Sequence, residues 1–207
     1  MKMKLVTGHR WRFFALVLGL LVSTVSAADF TEGKDYTQVA GIPESQMPVV
    51  REFFSYNCGH CYRHDPHIEQ TAALLDDGIT FTRTPVGAGR DSWILSQKAY
   101  YIANQLQVSK LMHPKIFDHI HQQQGPFSRQ QQVIDLFEAN GVDGQKVKAI
   151  LDSADLQLAV SNYDTQTQLS GIRGVPALLV NGKYLVNSIN LPAAELAELI
   201  TYLSELQ

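Results

Sequence analysis

Cysteine is the scarcest informative residue here: the 207-residue chain has only 2. Two thiols cannot build a disulfide-dense scaffold, an iron–sulfur cluster or a four-cysteine zinc site. Charge is also sparse, at 18% of residues, against 45% hydrophobic ones. With 14 Gly and 8 Pro, this is ordinary globular composition and excludes collagen-like or disordered chains. The formal net charge of −3 hides an asymmetry, because residues 1–27 hold Lys2, Lys4, Arg10 and Arg12 and no acid. The remainder has 13 basic residues against 20 acidic ones, a net −7. Such an acidic body lacks the footprint of a nucleic-acid binder. Internal repeats and low-complexity linkers are missing as well.

The basic start runs into an apolar stretch, Phe13 to Val22, and then into small residues, Ser23 to Ala28. That order is a secretory signal peptide, with Val25 and Ala27 placed for cleavage before Ala28 and Ser26 and Ala28 for cleavage one residue later. A membrane anchor is the alternative, but a span needs about 20 apolar residues. No Cys lies at the cleavage point to accept a lipid, and Ser204–Gln207 is not a retention signal. An exported protein of about 180 residues is expected, in a compartment where disulfides form.

Pro48 to Ser55 reads as a strand buried on both faces, and Ile79 to Thr84 alternates as a strand should. Between them a helix is expected from Gly59 to Asp76, kinked at Pro66. No strand pattern occurs from Asp91 to Ser170, where five helices are expected: 92–107, 109–122, 128–140, 143–151 and 154–170. Ser109, Ser128 and Asp143 stand where N-caps belong, and Gly141 follows a helix end. Ala177–Val180 and Lys183–Val186 flank Asn181-Gly182, the strongest short hairpin signal, and a helix follows over 192–204. The expected class is α/β, split by a helical insert: 28–90 and 171–207 form one domain, and 91–170 the insert.

Both cysteines fall in Cys58-Gly59-His60-Cys61, directly after a buried strand and at a helix start. At that spacing the sulfurs can close a disulfide across one turn, and the first faces the unpaired N–H groups of the helix N-terminus. Those donors favour a Cys58 thiolate, with His60 adding a donor and, when protonated, a charge. Cys61, deeper in the helix, is expected to titrate as an ordinary thiol. The asymmetry suggests thiol–disulfide exchange: a substrate thiolate attacks Cys58 and expels Cys61, and a second substrate thiol then releases Cys58. Two other uses remain open: a structural disulfide, and a metal site on Cys58, Cys61, His64 and His67.

Two segments, Glu52 to Tyr62 and Gly174 to Tyr184, resemble the DsbA family of periplasmic thiol:disulfide oxidases. The resemblance spans the mature chain and implies a thioredoxin-like fold interrupted by an all-helical insert. It implies a redox-active Cys58–Cys61 disulfide in which Cys58 is the nucleophile, His60 stabilises its thiolate and Cys61 resolves. It further implies a cis Pro176 that forms the substrate loop with Val175. No cofactor or metal is called for. Clients would be unfolded secreted proteins, the reoxidant a membrane quinone-linked partner of the DsbB type, the state a monomer and the location the periplasm. Glu52 and Arg83 occupy positions where the family carries an acid and a base beneath the site; a charge in an apolar strand must be paired, or else lie solvated at an edge. Gly59 departs from the family's usual Pro and matches the Cys-Gly-His-Cys of eukaryotic disulfide isomerases, so an isomerase or reductase is the alternative activity. A peptide- or metal-binding module with an inert cysteine pair is the other alternative.

The remaining signals are plainer. His119 and His121, two apart on a helix, cannot share a ligand and are expected to face solvent. His113, before Pro114, shows no partner in the sequence. Tyr100, Tyr101 and Ile102 belong with the insert core, and Gly87-Ala88-Gly89 lacks the context of a phosphate loop.

Overall fold

A computed structural model describes Lys2 and residues 29–206. The expected signal peptide, 1–27, and its cleavage point lie outside the described residues apart from Lys2. Five strands form one sheet: β1 (Tyr36–Gln38), β2 (Val49–Phe54), β3 (Thr80–Pro85), β4 (Ala177–Val180) and β5 (Tyr184–Val186), in the order β1-β5-β4-β2-β3. β2 runs parallel to β3 and antiparallel to β4, so a βαβ unit on one side of β2 meets a hairpin on the other. The connection from β2 to β3 is α1 (Gly59–Ala72). This is a thioredoxin-like fold.

β2 is apolar on both faces because each is covered. Val50 packs with Leu178 and Val180 under Ile68 of α1 and Leu196, Leu199, Ile200 and Leu203 of α7 (Ala193–Glu205). Phe53 and Leu179 pack on the opposite face with Ile42 and Val86. Asn181 and Gly182 both adopt positive φ, +50° and +65°, as the hairpin turn requires. Asn181 also ties three elements together: its Oδ1 accepts from the Val49 N–H at 3.0 Å and its Nδ2 donates to Ser204 O at 3.0 Å.

Between β3 and β4 lie α2 (Asp91–Gln105), α3 (Ser109–Asp118), α4 (Gln130–Ala139), α5 (Gly144–Leu151) and α6 (Ala154–Leu169). Their core, including Ala99, Ile102, Met112, Ile116 and Phe137, closes directly on Phe54, Tyr56 and Cys61. The helical segments therefore form one wall of the cysteine site.

Several boundaries differ from expectation for physical reasons. α1 stops at Ala72 rather than Asp76, with Ala73 as C-cap, and Pro66 sits inside it. The helix expected over 109–122 ends at Asp118 and continues as a π-helical turn, His119–Gln123. Ser109 is the first residue of α3, with Val108 at the cap position, and Arg129 rather than Ser128 stands at the N-cap of α4. There the Gln132 side chain reaches back to accept from the Ser128 and Arg129 N–H groups, the reciprocal half of a capping box. Asp143 does cap α5, accepting from Gln145 N at 2.8 Å, and Gly141 has φ +81°. The Val175–Pro176 bond is cis, and so is Met47–Pro48, which the sequence reading did not single out.

Candidate active site

The site is built on the junction of β2 with α1. Cys58 has extended backbone angles (φ −90°, ψ 114°) and is the N-cap of α1. Its N–H donates to Ser55 O at 3.0 Å, and its carbonyl accepts from Tyr62 N at 3.0 Å, which fixes the turn. Its Sγ occupies the place of a cap oxygen, accepting from the Cys61 N–H at 3.5 Å. Across the gap, the Cys58 thiol reaches Val175 O at 3.5 Å, directly before Pro176. The two cysteines are present as free thiols, Cys58 half-buried and Cys61 only 2% exposed.

This placement splits their acidity. The Cys58 thiol is lowered to about 5, first because the Cys61 side chain donates to its sulfur, with the N–H groups of Cys61 and His60 and the charge of His60 adding to this against burial. Cys61 departs from the ordinary thiol expected of it. Its proton is engaged by Cys58, and burial and the charges of Cys58 and Glu52 push its pKa far upward. The reason lies in the insert core, which seals Cys61 from water.

His60 is exposed, and its Nδ1 lies 3.2 Å from Arg63 Nη2. Arginine only donates, so Nδ1 accepts from it when the ring is neutral, and a protonated ring gives up that contact for a charge beside Cys58. His60, His64, Val175, Pro176, Ile189 and Asn190 line a cavity of about 240 Å³ beside the cysteines.

Glu52 and Arg83 are register partners on β2 and β3, and Arg83 Nε meets Glu52 Oε2 at 2.6 Å. Glu52 is 2% exposed, so the edge-solvated alternative does not hold for it. Burial raises its pKa, and the Arg83 guanidinium opposes that. Arg83 Nη2 also approaches Glu69 Oε1 at 2.8 Å and Asp65 Oδ1 at 3.6 Å, both on α1. Its guanidinium lies 4.8 Å from the Phe81 ring.

The histidines of the helical segments were misplaced by the sequence reading. His119 is buried and stacks on Phe127 (centroids 4.8 Å apart), and His121 stacks on Tyr62 (4.6 Å) while its Nε2 contacts Tyr56 O at 2.8 Å. His113, assigned no partner, has two: Tyr56 Oη at 2.7 Å and Asp65 Oδ1 at 2.8 Å. A signal existed, since His113 falls on the apolar stripe Met112, Ile116, Phe117 and Ile120.

The metal reading fares differently. His64 contacts Ile189 O at 3.2 Å and packs edge-on to His67, and these do not converge with the sulfurs. Among the described residues, the donors that do converge are Asp65, Glu69 and His113, within 4.8 Å of one another. The Arg83 guanidinium already lies against both carboxylates, a cation in the place a metal would take.

Residues 68–198 match the family of DSBA-like thioredoxin domains. The thiol:disulfide interchange protein DsbA of Burkholderia cepacia is 33% identical over 176 residues, 82% of either chain. Its namesake from Pectobacterium carotovorum is 30% identical over 188 residues, 89% of either chain. The solved DsbA of Pseudomonas aeruginosa superposes with a TM-score of 0.77 at 26% identity, over 86% of this chain and 95% of that one. That of Proteus mirabilis gives 0.76 at 25% identity, over 87% and 100%. By sequence and fold together, the chain belongs to the DsbA family of thioredoxin-fold thiol:disulfide oxidoreductases.

Proposed function

We propose that this oxidoreductase acts as a dithiol oxidase through Cys58 and Cys61, donating their disulfide to newly exported polypeptides. A substrate thiolate attacks Cys58 Sγ, the Cys58–Cys61 bond breaks, and Cys61 leaves and takes up a proton. A second substrate thiol then attacks the substrate sulfur of the mixed disulfide. Cys58 leaves as a thiolate, the substrate has lost two electrons, and the pair has gained them. The observation that carries the reading is the opposed acidity of the two sulfurs. A half-buried sulfur lowered to about 5 is a good leaving group at neutral pH, while its sealed partner holds a proton.

His60 supports the Cys58 thiolate, and Glu52 with Arg83 sets the electrostatics beneath Cys61. Val175 and Pro176 offer backbone to an extended substrate segment, as an added strand would use it. A cysteine-to-serine variant of Proteus mirabilis DsbA has been solved with a non-covalently bound peptide, which supports a peptide-shaped client. In this reading residues 1–27 direct export to the periplasm, 28–90 with 171–207 form the redox domain, and 91–170 is the insert that covers Cys61. The protein works as a monomer and is reoxidised by a membrane quinone-linked partner of the DsbB type.

The test is the equilibrium of the dithiol/disulfide pair against glutathione at pH 7. The reading requires the protein to be reduced almost completely at a glutathione poise where an ordinary structural disulfide stays closed. A pair that remains oxidised under those conditions overturns it.

A further inference from the structure

His113 reaches the cysteine segment from outside. It stands on α3, is 7% exposed, and sits among the rings of Phe54, Tyr56 and Phe117 at centroid distances of 5.5, 5.2 and 5.1 Å. Its two nitrogens are spent on the two ends of one stretch of chain. Nδ1 contacts Tyr56 Oη at 2.7 Å, two residues before Cys58, and Nε2 contacts Asp65 Oδ1 at 2.8 Å, four residues after Cys61. A single imidazole from the helical segments thus brackets the whole turn that carries both sulfurs.

Hydrogen-bond inventory decides what this bracket can tolerate. A carboxylate only accepts, so the Asp65 contact places the ring proton on Nε2. Nδ1 of a neutral ring then accepts, and the Tyr56 hydroxyl donates to it. A protonated ring donates from both nitrogens, which suits Asp65 but makes Tyr56 Oη the acceptor and turns the hydroxyl hydrogen away from the acceptor it had. Tyr56 is 1% exposed, and burial holds its hydroxyl protonated. Among the described residues its oxygen has no other hydrogen-bond partner to which that hydrogen could turn. Histidine is also the side chain whose ordinary titration crosses pH 5 to 8. The charged groups around this ring are Asp65 and Glu69 from α1, Glu52 from β2 and Arg83 from β3, with Lys110 on its own helix; Tyr56 and Tyr100 are the neutral titratable ones. His113, Asp65, Arg83 and Lys110 border a cavity of about 560 Å³, which gives the ring a route for exchanging its proton with solvent.

We propose that His113 is a positioning residue for disulfide exchange: its neutral ring clamps both ends of the Tyr56–Asp65 segment, and protonation leaves the buried Tyr56 hydroxyl without an acceptor, loosens that end and slows the reaction at Cys58. The proposal rests on the exchange reading above. The Tyr56 arm matters because that residue leads straight into the Cys58 cap, and its carbonyl is separately held by His121.

The test is the rate at which the dithiol protein attacks bis(2-hydroxyethyl) disulfide, a probe that does not titrate, from pH 4 to 9. Wild type should show two rises: one at the Cys58 titration and a second, about two- to fivefold, where the His113 ring loses its proton, the scale of one net hydrogen bond. His113→Gln keeps a donor and an acceptor but cannot titrate, so it should show only the first rise and reach the wild-type plateau. Tyr56→Phe has no hydroxyl to release and should lose the second rise as well, which keeps the test open if the glutamine variant fails to fold. A single rise in wild type, or a second rise that survives either substitution, overturns the clamp. A protein inert to the disulfide at every pH fails the exchange reading itself, a result distinct from either of those.

Discussion

Raising the pH from 5 to 7 should stabilise the dithiol form, and the size of the gain follows from Cys58. Its thiol titrates near 5 in the folded chain against an ordinary 9.0. A group depressed on folding contributes stability that is fully present above its unfolded value and is lost as pH falls through its folded value. Each unit of pH between the two is then worth up to about 1.4 kcal/mol. The climb from 5 to 7 has a ceiling of about 2.7 kcal/mol, and solvent screening of a half-exposed sulfur brings the expectation to roughly 1–2 kcal/mol. Cys61 works the other way and later. Its folded value is raised, so its contribution holds below the ordinary thiol range and is lost above it. The assay is urea unfolding followed by Trp93 fluorescence, under reductant, in wild type and Cys58→Ser at each pH from 5 to 8. Carboxylates titrate in both proteins, so the difference between them isolates the sulfur. The disulfide form has no thiolate to gain from and should lack the extra slope, so the dithiol form becomes the more stable one toward neutral pH. If the wild-type and Cys58→Ser curves run parallel within about 0.5 kcal/mol, well below that expectation, the argument from the helix cap is refuted.

Two further outcomes follow from other parts of the structure. Arg83→Met leaves Glu52 buried and unpaired, and urea unfolding at pH 7 should show a loss of about 3–5 kcal/mol, much of it recovered by adding Glu52→Gln. With its proton affinity raised further, Glu52 should make that variant lose stability as pH climbs above about 4.5; a flat profile would contradict the pairing. Gly59→Pro places a residue suited to the first helical position where the added Cβ meets only the movable Arg63 Nη1, at 3.3 Å. Thermal or urea unfolding should show a gain of about 0.4–1 kcal/mol in both redox forms, and a loss would mean the turn needs glycine.

What the sequence disclosed and what it withheld divide along a physical line. Local signals were sufficient for β2, the Asn181-Gly182 turn, the Asp143 cap and the placement of Cys58 at a helix start, because each depends on residues within one turn of each other. The pairing of Glu52 with Arg83 was reached through the family resemblance, with the need of a charge inside an apolar strand for a partner consistent with it. That Cys61 is the less exposed sulfur was legible from its place in the helix, but the upward push on its acidity was not, because the groups that seal it, such as Ile116 and Phe117, come from distant helices. His113 was missed for a related reason: its partners lie 48 and 57 positions away, and only the packing of α3 against α1 brings them together. The π-helical turn at His119 left no mark that a helix period could register.

The sheet, finally, is stitched from opposite ends of the chain. β1 pairs Tyr36 with Val186, and β2 pairs Val50 with Val180, whereas the helices between β3 and β4 pack mainly on one another. A polypeptide made from its N-terminus therefore has both sulfurs in hand long before the carbonyl of Val175, which faces Cys58 across 117 positions, has been synthesised. The helices can settle early on neighbouring contacts, while closing the sheet must wait for the last stretch of chain. In birth order the reactive centre is begun first and completed last, and until β4 and β5 arrive the two cysteines belong to an unfinished wall.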